Sequence, residues 1–227
     1  MVAIANKTIP TIEILLPVRI NGNEHQPDWD FMDNYIRSLS YKPLTTKNKY
    51  NMPFELNINE WESFEVGRVF QCETTTMLVK DDLSDGNIPF ISRSGENNGC
   101  TGYVDIDESY VVKGGCLTIG AEGIYSFFQP EDFVTGNKVY TLRNDNLNVY
   151  NAMFVSTILN NEYYRFSYGR ARILGKLQKE IIKLPIVKNP NGSPLIDKSK
   201  QYSDTGYIPD WDFMENYIKS LPYGDRL

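Results

Sequence analysis

The segment PDWDFMDNYIRSL, from Pro27 to Leu39, returns as PDWDFMENYIKSL from Pro209 to Leu221. Eleven of the thirteen positions are identical, and the two exceptions, Asp33/Glu215 and Arg37/Lys219, keep their charge. Any fold for this chain must therefore place two nearly equal segments 182 residues apart. Each copy reads as a short helix. Proline suits the first helical position, where its missing N–H costs nothing. Asp28 and Asp30, like Asp210 and Asp212, then stand in the first turn, at the positive end of the helix dipole. Trp29, Met32, Ile36 and Leu39 form one apolar stripe, repeated by Trp211, Met214, Ile218 and Leu221. A three-turn helix is marginal by itself in water, so each stripe needs a surface to pack on.

The likeness extends upstream, where EILLPV (Glu13–Val18) parallels IIKLPI (Ile181–Ile186). Ten residues separate the Leu-Pro proline from the helix proline in the first copy and 24 in the second. The extra length, KNPNGSPLIDKSKQYSDTG, is turn-forming and expected to be mobile. The order is thus unit, middle, unit: residues 1–50 with a helix over 27–39, a middle domain over 51–188, and residues 189–227 with a helix over 209–221. Two copies so far apart are not the stacked neighbours of a solenoid. The middle opens with short strand-like runs, SFEVGRVFQC, GNIPFISRS, GYVDID, SYVVKGGCLTIG and NKVYTLRN, split by glycine-containing turns. NVYNAMFVSTILNNEYYRFS then reads as a helix. The predicted class is a mixed α+β fold, β-rich in the middle, with short flanking helices.

The composition narrows the function. No run approaches 18 apolar residues, so no membrane-spanning helix is expected. TIEILLPV lacks the basic start and cleavage site of a signal peptide. Three cysteines, Cys72, Cys100 and Cys116, without CxxC spacing argue against a disulfide framework or a zinc site, and a reduced cytoplasmic setting is expected. The net charge of −6 weighs against nucleic acid as a partner. Locally the balance reverses, because Asn161–Lys188 carries seven cationic residues against two acidic ones, which suits DNA.

Familiar catalytic patterns are missing. The lone histidine, His25, allows no histidine triad and no histidine-rich metal site. GAEG lacks dinucleotide-fingerprint spacing, and no G-K-[ST] marks a P-loop. DDLSDGN reads as a hairpin turn at Asp85-Gly86 rather than a calcium loop. No acidic residue is followed at +2 by lysine, as a PD…(D/E)xK nuclease needs, and the Asn/Asp-Pro-Pro-aromatic signature of amino-methyltransferases does not occur. The chain reads as a non-catalytic binding protein, with no cofactor and no metal.

Two polar segments stand out. Ile88–Asp105 places Ser92, Arg93, Ser94, Glu96, Asn97 and Asn98 between strand-like runs. Asparagine can read adenine and arginine guanine at base edges; the competing reading is a hairpin loop shaped by Asn-Gly. Leu117–Leu142 offers glycines for close backbone approach, with Phe127, Phe128 and Phe133 assigned to core.

Four stretches, WESFEVGRVF (Trp61–Phe70), IPFISRSGENNG (Ile88–Gly99), the Leu117–Val139 segment and RFSYGRARILGKLQKEIIKLPIV (Arg165–Val187), occur in an order that resembles a known family. It is the target-recognition domain of type I restriction–modification specificity subunits, in the branch that also serves type IIB-like systems. PDWDFMENYIKSLPY resembles that branch's inter-domain helix. The resemblance implies a DNA sequence-specificity subunit that does no chemistry. Its partners would be double-stranded DNA and a methyltransferase subunit, with a restriction or translocase subunit at second hand. Base readout would fall to Ser92–Asn98 and to Gly120, Gly123 and Tyr125. Arg165, Arg170, Arg172 and Lys176 would contact phosphates, with Tyr168 shaping their turn. Full subunits hold two recognition domains, so this chain reads as a half-subunit. Two copies would pair as a homodimer through the stripes Trp29/Met32/Ile36/Leu39 and Trp211/Met214/Ile218/Leu221. Packing of both helices inside one monomer is the alternative, as is a fragment that only modulates assembly of the complex.

Overall fold

Asn148 begins the helix around which the larger part of the molecule is built. Its side chain accepts from the backbone N–H of Tyr150 and Asn151, and the Asn151 side chain accepts from the Asn148 N–H in return. This reciprocal cap satisfies the orphan donors of the first turn. The helix runs Val149–Asn161 (α3), with Ala152, Phe154, Val155 and Leu159 buried. A computed structural model describes residues 15–21, 24–39, 45–48, 56–122, 125–167 and 169–226. It divides into two compact units, Met1–Thr45 and Thr46–Leu227.

In the smaller unit, strands β1 (Val18–Asn21) and β2 (Glu24–Pro27) pair antiparallel and lead into helix α1 (Trp29–Ser38). Asp28 caps α1 by accepting from the Phe31 N–H at 2.8 Å, while its own N–H donates to the Pro17 carbonyl at 2.8 Å. No residue of α1 is buried.

The larger unit is α+β. Strand β3 (Glu62–Glu65) is followed by a helical turn α2 (Val66–Val69) and by β4 (Gln71–Thr74). Alternation alone predicts an unbroken strand across SFEVGRVFQC. The turn forms instead because Val66 donates to the Glu180 carbonyl at 2.8 Å and tertiary packing buries both Val66 and Val69. Next come β5 (Ser84–Ile91), β6 (Cys100–Asp105), β7 (Cys116–Gly120), β8 (Ser126–Gln129), β9 (Val134–Thr135) and β10 (Val139–Arg143). After α3 follow α4 (Leu174–Gln178), β11 (Ile181–Leu184) and α5 (Trp211–Ser220). One sheet has the order β4-β10-β7-β8, all antiparallel. A second has the order β6-β5-β9, with β5 and β9 parallel, and β11 pairs with β3. Asp85-Gly86 is not a hairpin turn: it lies within β5 at a register shift against β6, where a Cβ on Gly86 would stand 2.4 Å from the Asp105 nitrogen. Glycine is needed there for the close approach of the opposing backbone.

The main core joins Phe64, Val66, Val69, Leu117, Ile119, Leu142, Val155, Leu159, Leu177 and Ile182 to Met214 and Ile218 of α5. Helix α5 packs on α3 and completes this core. Residues 189–227, set apart in the sequence reading, are therefore part of the larger unit. Its preceding loop folds back through the bridges Lys188–Pro194 and Ile196–Tyr207, and Asp204 binds Arg68 at 2.6 Å, so it is tethered where a mobile segment was expected. Asn48 donates to the carbonyls of Lys219 (2.6 Å) and Leu221 (2.7 Å), and Thr46 to Asp225 (2.6 Å).

Candidate nucleic-acid interface

Between β5 and β6 the chain makes a short excursion, Ser92–Gly99, closed by the Ser92 N–H on the Gly99 carbonyl at 2.8 Å. Ser92 Oγ accepts from the Ser94 N–H (3.2 Å) and Ser94 Oγ from the Glu96 N–H (3.1 Å). Asn97, Asn98 and Gly99 have φ of 47°, 53° and 80°. Three successive left-handed residues turn the chain sharply, and asparagine is among the few side chains that tolerate this region. The Asn97 amide donates to the Cys100 carbonyl (3.2 Å), whereas Gln129 of β8 donates to the Asn98 carbonyl (2.9 Å) and to Thr118 Oγ1 (3.0 Å). The excursion is thus pinned to the larger sheet. Gly95, Glu96, Asn97 and Asn98 are exposed at its tip.

The second sequence-predicted segment meets the first. The Arg93 side chain crosses Gly120, where a Cβ would lie 2.7 Å from Arg93 Cγ, and its guanidinium pairs with Glu122. Glu122 also binds Lys138 Nζ at 2.8 Å. Hydrogen bonds from Lys138 and Arg93 hold the Glu122 carboxyl below the usual carboxylate range, so it stays ionised at neutral pH. Gly95 lies under the ring of Tyr125, which stacks on Phe127 with centroids 6.1 Å apart. Ser92, Arg93, Ser94, Glu96, Asn97, Asn98, Gly120 and Tyr125 thereby form one neighbourhood across two loops. Gly123 lies outside the described residues. Glu122 and Lys138 were missed in the sequence, where nothing marks a carboxylate whose partner stands 29 residues upstream.

The basic segment divides. Arg165 is exposed and pairs with Glu162 at 2.9 Å. Arg170 is exposed, and its backbone exchanges hydrogen bonds with Ser167 at 2.9 and 3.3 Å around a tight turn. Tyr168 lies outside the described residues. Lys176 is exposed on α4, and Tyr163 and Tyr164, not singled out in the sequence, are exposed beside Arg165.

Arg172 departs from expectation. It is fully buried, its guanidinium 4.1 Å over the Phe166 ring, with Nη2 donating to Glu180 (3.0 Å) and to the Leu159 carbonyl (3.1 Å). Burial pushes the Glu180 carboxyl up and the Arg172 guanidinium down, and their mutual attraction opposes both. A side chain so enclosed cannot reach a phosphate. Arg172 is instead a structural link, since its N–H also donates to the Ala121 carbonyl at 2.7 Å, at the base of the second loop.

The C-terminal stripe is also corrected. Met214 and Ile218 are buried inside their own unit, and Trp211 and Leu221 pack against the same core, so this stripe is not an open face for a second copy. In the first copy Trp29, Ile36 and Leu39 are exposed and Met32 is half-buried.

Chemically the neighbourhood offers hydrogen-bond donors and acceptors. Burial pushes the Cys72 thiol to about 12 and that of Cys116 to about 11, so neither is a thiolate near neutral pH. Among the described residues no group of three or more His, Cys, Asp or Glu is placed to hold a metal ion, and no helix is long and apolar enough to cross a membrane.

The profile of the type I restriction modification DNA specificity domain matches residues 58–218, most of the larger unit. The chain belongs to that family. Within this DNA specificity domain family it is similar to the type II restriction enzyme BgcI specificity subunit S.BcgI of Heyndrickxia coagulans, 25% identical over 229 aligned residues. That alignment covers 94% of this chain and 59% of the relative, so the chain spans about three-fifths of the length of the curated relative it matches. Solved specificity subunits align more loosely. A type I restriction-modification S subunit from M. genitalium aligns at TM-score 0.48 and 12% identity, covering 74% of this chain and 39% of its own. The HsdS subunit from Thermoanaerobacter tengcongensis aligns at TM-score 0.46 and 15% identity, covering 78% and 39%.

Proposed function

We propose that this chain is a DNA sequence-specificity module of a restriction–modification system. It reads part of a split target and docks the methyltransferase subunit that carries out modification. The observation that carries this reading is the family match over residues 58–218. The meeting of the Ser92–Gly99 excursion with Gly120, Glu122 and Tyr125 supports it, because it presents amide, guanidinium, carboxylate and phenol groups together at one surface. Such groups suit base edges. The exposed cations Arg165, Arg170 and Lys176 suit phosphates, which position without specifying. The module is non-catalytic on this reading, works in the cytoplasm, and meets a restriction or translocase subunit only through the complex. A second copy of the chain is a further proposed partner. With the C-terminal stripe enclosed, that pairing falls to Trp29, Met32, Ile36 and Leu39 of α1, and light scattering that shows a strict monomer at micromolar concentration removes it.

The test is selection of bound DNA from randomised duplexes, with and without the methyltransferase subunit, followed by sequencing. Enrichment of one sequence is expected. No enrichment in either arm ends the DNA-reading proposal and leaves a fragment that modulates assembly, a role that the exposed apolar face of α1 would suit. Lys176→Ala should weaken binding to every duplex alike and lower the slope of log affinity against log salt by about 1.

A further inference from the structure

We propose that Glu122 is a specificity-determining residue, holding Arg93 in place to read one base pair. This inference rests on the DNA-reading function proposed above. Three observations on separate elements converge on it. The Arg93 stem runs across Gly120 at the end of β7, through space that a Cβ would fill: the added atom would lie 2.7 Å from Cγ, 3.1 Å from Cβ and 3.4 Å from Cδ of Arg93. Glu122, two residues on, takes Arg93 Nη1. Lys138, which precedes β10, takes the other Glu122 oxygen at 2.8 Å and anchors the loop through its carbonyl, which accepts from the Ala121 N–H at 2.9 Å.

An unrestrained arginine has many rotamers, and ordering them on binding subtracts from affinity for the right and the wrong base alike. A guanidinium already held by a carboxylate loses less, and its planar fork of five donors still has N–H groups to offer a base. The Arg93 side chain keeps 31% of its surface exposed while Glu122 keeps 20%, so the arginine is the more accessible member of the pair. Lys138 balances the second oxygen of Glu122. The three groups together carry one net positive charge, so the carboxylate can sit near DNA without repelling the backbone. Gly120 has no side chain, which leaves room for the Arg93 stem against the end of β7.

A rival arrangement uses the same contacts differently, with Glu122 as a clasp that occupies Arg93 until DNA displaces it. The two differ in sign. A positioning carboxylate improves discrimination, so its removal relaxes the preference at the base pair that Arg93 reads. A clasp only competes, so its removal raises affinity for the selected duplex and leaves the preference unchanged.

The experiment takes the duplex selected by the full chain with its methyltransferase subunit and varies it one base pair at a time. Binding is measured for Arg93→Ala, Glu122→Ala, Arg93→Ala/Glu122→Ala and Gly120→Ala. Arg93→Ala should lose the preference at one base pair. Glu122→Ala should lose about tenfold of the preference at that same pair, within the range set by one bidentate contact, while binding to unrelated duplexes holds or rises. The double variant should match Arg93→Ala alone, and Gly120→Ala should resemble Glu122→Ala, because its new methyl group displaces the arginine stem. Thermal unfolding confirms that each variant folds; if Glu122→Ala does not, Glu122→Gln and Gly120→Ala carry the test. An unchanged preference profile in folded Glu122→Ala or Glu122→Gln, relaxation at a different base pair, or higher affinity with an intact profile overturns the inference and leaves the DNA-reading function standing. Selection that fails with the unaltered chain overturns both.

Discussion

Helices α1 and α5 carry almost the same thirteen residues and make the same local bonds, yet only one of them is core. In each an aspartate caps by accepting from a phenylalanine N–H at 2.8 Å, Asp28 with Phe31 and Asp210 with Phe213. In each the aspartate N–H reaches back to a Leu-Pro carbonyl, Pro17 at 2.8 Å and Pro185 at 2.9 Å. Phe31 stacks on Tyr35 and Phe213 on Tyr217, both with an interplanar angle of 17°. An acid–base pair one turn apart forms in both, Asp33 with Arg37 and Glu215 with Lys219. Beyond this the copies diverge. Ile36 is 64% exposed where Ile218 is 8%. Around α5, Phe70 meets Trp211 edge-on, Phe154 meets Tyr217 edge-on, Asn148 donates to Glu215 at 2.6 Å, and Lys219 stands 4.6 Å over Tyr150. The lesson is a division of labour: thirteen residues suffice to specify the helix and its caps, whereas the role of the stripe is decided by partners such as Phe70, Asn148, Tyr150 and Phe154, 63 to 141 positions away.

Paired substitutions can break this comparison. Met214→Ala should destabilise the larger unit by about 2–5 kcal/mol, as expected for a truncated core methionine, while Met32→Ala should change stability by less than about 0.5 kcal/mol. Equal losses in denaturant titrations would show that the first stripe is also core. Asp210→Ala should cost about 1 kcal/mol, the usual worth of a helix cap. Asp28→Ala should act in the same direction on α1 alone, read as faster hydrogen exchange at the Phe31 amide with no change in the melting of the larger unit.

Acid supplies a subtler contrast. Lys219, and after it Asn148, hold the Glu215 carboxyl below its ordinary value. A depressed carboxylate contributes stability that is complete above its unfolded pKa and lost as pH falls through its folded pKa. Glu215→Gln should therefore lower stability at neutral pH, converge with the unaltered chain in acid, and so flatten the acid limb of the stability curve below about pH 4.5. The smallest effect belongs to Glu215→Asp/Lys219→Arg, which makes the second copy identical to the first. It should shift stability by no more than about 0.5 kcal/mol, through a shortened reach to Asn148. A larger loss would mean that the two conservative differences adapt each copy to a different surface.

Much of this was legible beforehand. The helices over 27–39 and 209–221 follow from the aspartates and the apolar stripe, and the observed Trp29–Ser38 and Trp211–Ser220 lie within them, although Pro27 and Pro209 stand one residue before the capping Asp28 and Asp210 and not at the first helical position. The long helix after Asn148 and the two polar loops could also be placed. What escaped the sequence shares one property, a dependence on partners distant in the chain. Arg172 sits in a basic run that reads as a set of phosphate contacts, and only the folded chain brings Glu180, Phe166 and the Leu159 carbonyl around it. Val66–Val69 alternates like a strand until the Glu180 carbonyl claims the Val66 N–H. Asp85-Gly86 looks like a turn because the dipeptide prefers one, but the opposing β6 backbone uses the missing Cβ instead.

The bonds from Thr46 and Asn48 to Asp225, Lys219 and Leu221 have a topological consequence. They bring the first and last residues of the larger unit to one point, so the polypeptide makes nearly a closed circuit. A circuit of that kind can be spliced into a longer chain at a single location. Its loops can then change length or identity without altering the distance between the segments that flank it.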